Sequence, residues 1–151
     1  MDRRAIESFV GRRGTGVLAL ASGDAPYATP VSYGFDPAAA TFYLRLGMGA
    51  DSRKRAFLDA PTAACLVVYG ERDGDWHSVV ARGSLASVAE ADVDAAVADA
   101  LRRAETPLLD IWDDPVDDVD FHVFRLPADE LTGRTTAETR GGTDPGDGDA
   151  T

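Results

Sequence analysis

Three consecutive cations, Arg53, Lys54 and Arg55, follow a chain break marked by Gly47 and Gly49. The stretch from Thr41 to Pro61 begins as an apolar strand (Phe42, Tyr43, Leu44), breaks at the glycines and restarts as a short helix beside those cations. Free backbone N–H groups and the helix dipole favour an anion at such a start, and the cationic side chains reinforce both, so this is a place to hold phosphate. Lys54 is the only lysine among 15 basic residues. Taken alone, the triplet fits equally well a solvated helix face on which the cations offset Asp51 and Asp59.

Other candidates for chemistry are few. His77 and His122 are the only histidines, and either could exchange protons near neutral pH. His77 alternates with Trp76 and Ser78, so it points to the opposite face of a strand, and no second ligand at metal spacing lies near either histidine. Both read as surface or satisfied core residues. The acidic run Asp117-Asp118-Val119-Asp120 lacks the glycine and terminal glutamate of a calcium loop. No Gly-x-Ser-x-Gly or Cys/His nucleophile arrangement occurs. The glycine-rich Gly11 to Gly16 precedes a strand instead of following one, so it satisfies neither a dinucleotide fingerprint nor a phosphate loop. No catalytic residue and no metal site is assigned.

The elements that must position these residues fit one domain, since 151 residues are enough to bury a core. A net charge of −11 argues against general nucleic-acid binding and against an anionic membrane surface. Acid excess with almost no lysine resembles the surface of proteins from high-salt cytoplasm, where salt screens carboxylate repulsion. The single Cys65 cannot form an internal disulfide and is expected to be a small buried hydrophobe. With no apolar leader and no stretch of transmembrane length, the expectation is a soluble cytoplasmic protein.

In chain order, Ile6, Phe9 and Val10 mark a helix over Asp2 to Arg12, with Asp2 as cap and Gly11 or Gly14 as stop. Thr15 to Ala21 reads as a buried strand and Ser22-Gly23-Asp24 as a turn. Tyr27 to Phe35 reads as a second strand, and Pro30 places it at an edge or an irregular spot. It should form a hairpin with Phe42 to Leu46. Thr62 to Gly70 is a clear strand, Glu71 to Asp75 a hairpin loop centred on Asp73-Gly74, and Trp76 to Val88 a long strand bent at Gly83. Glu90 to Arg103 reads as a helix with Val93, Val97, Ala100 and Leu101 on its apolar face. Leu108 to Trp112 reads as a helical turn, and Phe121 to Leu126 as a last strand, resuming over Glu130 to Thr135. The domain should cover residues 1–136, with 137–151 a disordered acidic tail. Hairpin-joined strands without regular βα alternation predict a mainly β fold, an antiparallel sheet that closes into a barrel.

Read together, Ala28–Asp36 (A-T-P-V-S-Y-G-F-D), Phe42–Arg45 (F-Y-L-R), Ser52–Pro61 (S-R-K-R-A-F-L-D-A-P) and Trp76–Leu85 (W-H-S-V-V-A-R-G-S-L) resemble the pyridoxamine 5′-phosphate oxidase-like superfamily. The closer similarity is to its nitroimidazole-reductase-like branch, over roughly residues 5–135. The resemblance implies a six-stranded split barrel, a homodimer, and FMN in a groove at the subunit interface, serving electron or hydride transfer with a small organic substrate. It implies that Ser52, Arg53 and Lys54 grip the FMN phosphate. Val31, Ser32 and Tyr33 would lie against the flavin and ribityl chain through backbone groups, and Arg45 would face the cofactor. Trp76, Ser78 and Val79 would approach the isoalloxazine, often from the neighbouring subunit. From the residues alone, Arg45 could instead pair with a carboxylate such as Asp51, Trp76 could plug a barrel end, and Ser78 could pack under a helix. Vitamin B6 oxidases carry an arginine and a lysine where this chain has Ala28 and Tyr33. Their C-terminal Trp-and-Arg segment also lacks a counterpart near Phe121–Arg134, so pyridoxal phosphate synthesis is not expected. A deazaflavin whose acidic tail meets Arg12, Arg13 or Arg55 stays open. So does a non-enzymatic role holding flavin or haem, with His77 or His122 as axial ligand.

Overall fold

Alternating burial along strands such as Thr62–Arg72 and Asp75–Ser87 gives a sheet with one apolar face, which is buried when the sheet closes on itself. The computed structural model describes residues 1–48, 61–103 and 120–141. Its strands are β1 (Thr15–Ser22), β2 (Ala25–Asp36), β3 (Thr41–Met48), β4 (Thr62–Arg72), β5 (Asp75–Ser87) and β6 (Asp120–Thr135). They form a closed antiparallel barrel in the order β1-β2-β3-β6-β5-β4, as the mainly β, six-stranded expectation required. Alternate side chains fill the interior, among them Leu18, Tyr33, Phe42, Leu44, Leu66, Val79 and Leu126. Helix α1 (Arg3–Arg13) adds Ile6, Phe9 and Val10 to that core. The Asp2 carboxylate accepts from Ala5 N at 2.8 Å and caps the helix, and Gly14 ends it with φ of 83°.

β2 explains why the barrel is split. Residues Ala25 to Ser32 pair with β1, and only Tyr33 to Asp36 pair with β3. Pro30, opposite Val17, therefore sits where β2 has a single described neighbour, and its missing N–H costs no ladder bond on the free side. The β4–β5 hairpin is tighter than the expected loop. Asp73 and Gly74, at φ of 54° and 81°, form the whole connection, the positive-φ pair that a two-residue hairpin demands.

The bend at Gly83 falls where expected. Gly83 pairs with Ala128 and Arg82 with Glu130, so Asp129 is the extra residue of a bulge. A Cβ at Gly83 would lie 2.1 Å from Pro127 O, so only glycine lets β6 pass. β6 is one continuous strand instead of two segments, because Asp120–Pro127 pair with β3 while its later residues pair with β5.

The alanine-rich stretch is also shorter than expected. Glu90–Asp92 form a 3₁₀ turn, and helix α2 spans Ala95–Arg103. The break is Asp94, whose carboxylate accepts from Val97 N at 3.0 Å and whose carbonyl accepts from Ala98 N at 3.0 Å, which suits aspartate to a cap better than to a helix interior. Of the expected apolar face, Val97, Ala100 and Leu101 are buried on α2, whereas Val93 lies before it, closing the 3₁₀ turn, and is half-buried. A third helix, α3 (Thr136–Gly141), runs past the boundary expected after residue 136. Thr136 Oγ1 accepts from Trp76 N at 3.0 Å and donates to Asp75 Oδ1 at 2.9 Å, tying α3 to β5. The expected helix after Gly49, the turn at Leu108 to Trp112 and residues 142–151 lie outside the described residues. None of the described helices is long and apolar enough to cross a membrane.

Candidate functional site

The split between β2 and β3 forms one half of a site. Tyr33 pairs with Leu44 in the last rung before β2 turns away, so Ser32 and Arg45 stand at the mouth of the opening. Ser32 is buried and Arg45 exposed. Among the described residues Arg45 forms no ion pair. The free edge of β2 offers backbone polar groups that no described strand satisfies, the kind of donor and acceptor row that a ligand can complete. The side chains of Val31 and Tyr33 are in the core, and the Tyr33 N–H donates to Gly14 O at 2.9 Å, on the β1 side and away from this edge. The Tyr33 hydroxyl donates to Val10 O at 2.6 Å, and its ring meets Phe42 edge-on. β3 ends at Met48 and delivers the chain towards Ser52, Arg53 and Lys54, which lie outside the described residues.

Tyr43, on the same strand as Arg45, has its phenol pushed above the ordinary value of 10.0. Burial is the first cause, the Asp36 and Asp94 carboxylates add to it, and Arg125 opposes it. The folded chain thus favours the neutral phenol. Stability from this group is complete below pH 10 and is lost as pH rises through the folded pKa, because the unfolded chain ionises first. Tyr43→Phe should therefore lose less stability than the parent above pH 10, read as urea midpoints across that window. Parallel curves for the two proteins would contradict this.

The second half of the site lies on the outer face beside the β4–β5 hairpin. Tyr69 pairs with Ser78, and Ser78 pairs in turn with Arg134, so the three form a row across β4, β5 and β6. Trp76 stands next along β5, opposite Glu71. Tyr69 and Trp76 are 59% and 55% exposed, the two large hydrophobic side chains that the fold leaves in solvent among the described residues. With Val67, Arg134 and Thr139 they line a groove of about 480 Å³, within the range of small-molecule sites. A cleft of about 110 Å³ between α1 and β2 is too small for a cofactor. Trp76 and Ser78 share the outer face of β5 and line this groove. Val79 faces the opposite way and is fully buried, leaving only its backbone near the groove. Tyr69 and Arg134 were missed. Strand alternation from Val67 would have put Tyr69 outside, but Arg134 needed the β5–β6 register.

His77 faces away from Trp76 and Ser78, as alternation predicted, and that face is the inner one, with its ring 5.2 Å from that of Phe9. Its Nδ1 is buried without a hydrogen-bond partner. His122 is exposed. Among the described residues no group of three or more His, Cys, Asp or Glu side chains could hold a metal. Cys65 corrects its expectation. It is only half-buried, on the outer face of β4, because its position alternates with the core residues Ala64 and Leu66.

Arg45 and Ser78 stand far apart along β6, although only β1 separates the β2 edge from the groove side of β4, since Val17 pairs with Pro30 on one side and Val67 on the other. Arg45 pairs with Val123 and Ser78 with Arg134, so eleven residues of β6 (134 − 123) separate them. That is roughly 35 Å of strand path at about 3.3 Å per residue, before the bend at the bulge.

The fold is shared with solved structures. A candidate pyridoxamine 5′-phosphate oxidase from Corynebacterium glutamicum is 19% identical, with a TM-score of 0.66 over 89% of this chain and 94% of that one. The FAD binding protein from Mycobacterium smegmatis is 16% identical, with a TM-score of 0.62 over 89% and 97%. The FAD and heme binding protein from Mycobacterium smegmatis is 12% identical, with a TM-score of 0.63 over 88% and 70%. A search of curated proteins finds no match. The family model described as pyridoxamine 5′-phosphate oxidase matches residues 2–135, which include all six described strands, and the chain belongs to that family.

Proposed function

We propose that this barrel binds FMN between two copies of the chain and serves as an oxidoreductase on a small organic substrate. The observation that carries it is the offset along β6 between Arg45 at the split, opposite Val123, and Ser78 in the groove, opposite Arg134. One ligand gripped beside Arg45 and walled by Trp76 and Ser78 would take that second wall from a partner. The outer faces of β1, β4 and β5 suit that contact. Val17 pairs with Val67, and Val67 with Val80, giving a half-buried apolar row that no described element covers.

The residues present fit a flavin mononucleotide. The free β2 edge and Ser32 would meet the ribityl and ring edges, Arg45 would face the cofactor, and Ser52, Arg53 and Lys54 would hold the phosphate. Trp76 and Ser78, with the backbone of Val79, would wall the ring from the partner. Bound flavin supplies the hydride or electron transfer, and the protein supplies binding, orientation and exclusion of water. No side chain is assigned as acid or base. The acidic surface suits a cytoplasm of high salt, where the charge of −11 is screened.

Visible-absorbance titration of the purified chain with FMN tests the reading, at physiological and at molar salt. Saturable binding at micromolar FMN is expected, one per chain, in a particle of twice the 16.0 kDa chain mass. Absence of binding in both salts would remove it. FAD is titrated in parallel, because two of the similar structures are described as FAD-binding, and a preference for FAD would replace FMN while keeping the flavin.

A further inference from the structure

The groove at the β4–β5 hairpin holds a charge that the cofactor reading does not use. Arg134 is exposed, stands across from Ser78 and lines the same wall as Tyr69 and Trp76. Among the described residues it has no hydrogen bond or ion pair, although the chain carries 26 acidic residues against 15 basic ones. Asp75, at the start of β5, the strand that carries Ser78, accepts from Thr136. Glu138 is taken by the Met1 amine at 2.5 Å. A guanidinium without a described partner on an acidic surface, in one groove with two exposed aromatic rings, is complementary to one kind of guest. Its ring would stack on Trp76 and Tyr69, and its anionic group would take the forked donors of Arg134.

We infer that this groove binds a small aromatic carboxylate, with Arg134 selecting for the anion and Trp76 and Tyr69 for the ring. As the substrate class of the flavin site, the inference deepens and rests on the reading above. As a binding site it is testable without any flavin. A volume of about 480 Å³ accommodates a two-ring acid. Glu71, opposite Trp76, is the nearby carboxylate that disfavours a second negative group on the guest, so a monoacid fits better than a diacid.

The test uses the flavin-free full chain carrying Trp112→Phe, which leaves Trp76 as the one tryptophan reporter. Fluorescence titrations compare 1-naphthoate with its neutral analogue 1-naphthalenemethanol. The acid should bind about tenfold tighter or more, as a charge-assisted contact predicts. Arg134→Gln should bring the two ligands to equal affinity without weakening the alcohol, and Arg134→Lys should keep part of the preference. Both variants should fold as the parent does, since Arg134 is exposed and has no described partner, and circular dichroism checks this. No preference for the acid, or a preference that survives Arg134→Gln, overturns the inference. FMN binding without acid selectivity would sink this proposal and leave the cofactor reading standing, while acid selectivity without FMN binding would do the reverse.

Discussion

Gly34→Ala is expected to lower stability by about 3 kcal/mol, and the melting temperature by roughly 6–12 °C. Gly34 is on the outer side of β2, where α2 is seated. A Cβ built there lies 1.7 Å from Ala100 O and 2.3 Å from Ala100 C, and both are backbone atoms of the helix. A flexible side chain could rotate aside, but a helix backbone can only lift off as a body. Lifting it withdraws Val97 and Leu101 from burial, so the cost combines overpacking with lost apolar contact. Gly11→Ala is the control, because nothing lies within 4 Å of its Cβ position and it sits inside α1. That change should raise stability by roughly 0.5–1 kcal/mol through lower unfolded-chain entropy. Urea unfolding followed by circular dichroism measures both. A Gly34→Ala protein within about 0.5 kcal/mol of the parent would mean that α2 is not seated on β2 as described.

The double variant Arg53→Ala with Lys54→Ala should weaken FMN binding about 100-fold while changing riboflavin binding by less than about threefold. Each charge-assisted hydrogen bond to a phosphate contributes roughly 1.5–3 kcal/mol. Exposure and salt reduce that, so about 3 kcal/mol for the pair is a reasonable sum, close to two decades in affinity. Riboflavin shares the ring and ribityl chain and lacks only the phosphate, so its affinity isolates the contribution of that group. The prediction follows from chain order. β3 ends at Met48 beside the split where Ser32 and Arg45 stand, and the triplet comes next. Equal losses for the two ligands would show that the cations hold something other than phosphate.

Most of the barrel was legible in the residues because strand burial has a period of two. The β2 proline, the Asp73-Gly74 turn and the bend at Gly83 are local backbone constraints, and each falls where the chain chemistry required. Asp94 was the local signal that a helix could not continue through Glu90 to Arg103. It was outweighed by alanine content, although a carboxylate prefers to cap free N–H groups.

Alternation told that His77 and Trp76 face opposite ways, but not which of them faces the core. That depended on Phe9 arriving from α1 to meet the His77 ring. The same ambiguity placed Cys65 inside by hydrophobicity, whereas its register put it on the outer face. Arg134 became a groove residue only through its rung with Ser78, a pairing across 56 positions of chain (134 − 78) that no local pattern encodes. The chain's residue types and spacings determined the strands, their turns and the first helix, because those depend on neighbours within a few residues. Only the folded molecule decided which side chains share a groove and how far apart the two half-sites stand, because register and closure are set by contacts between distant strands.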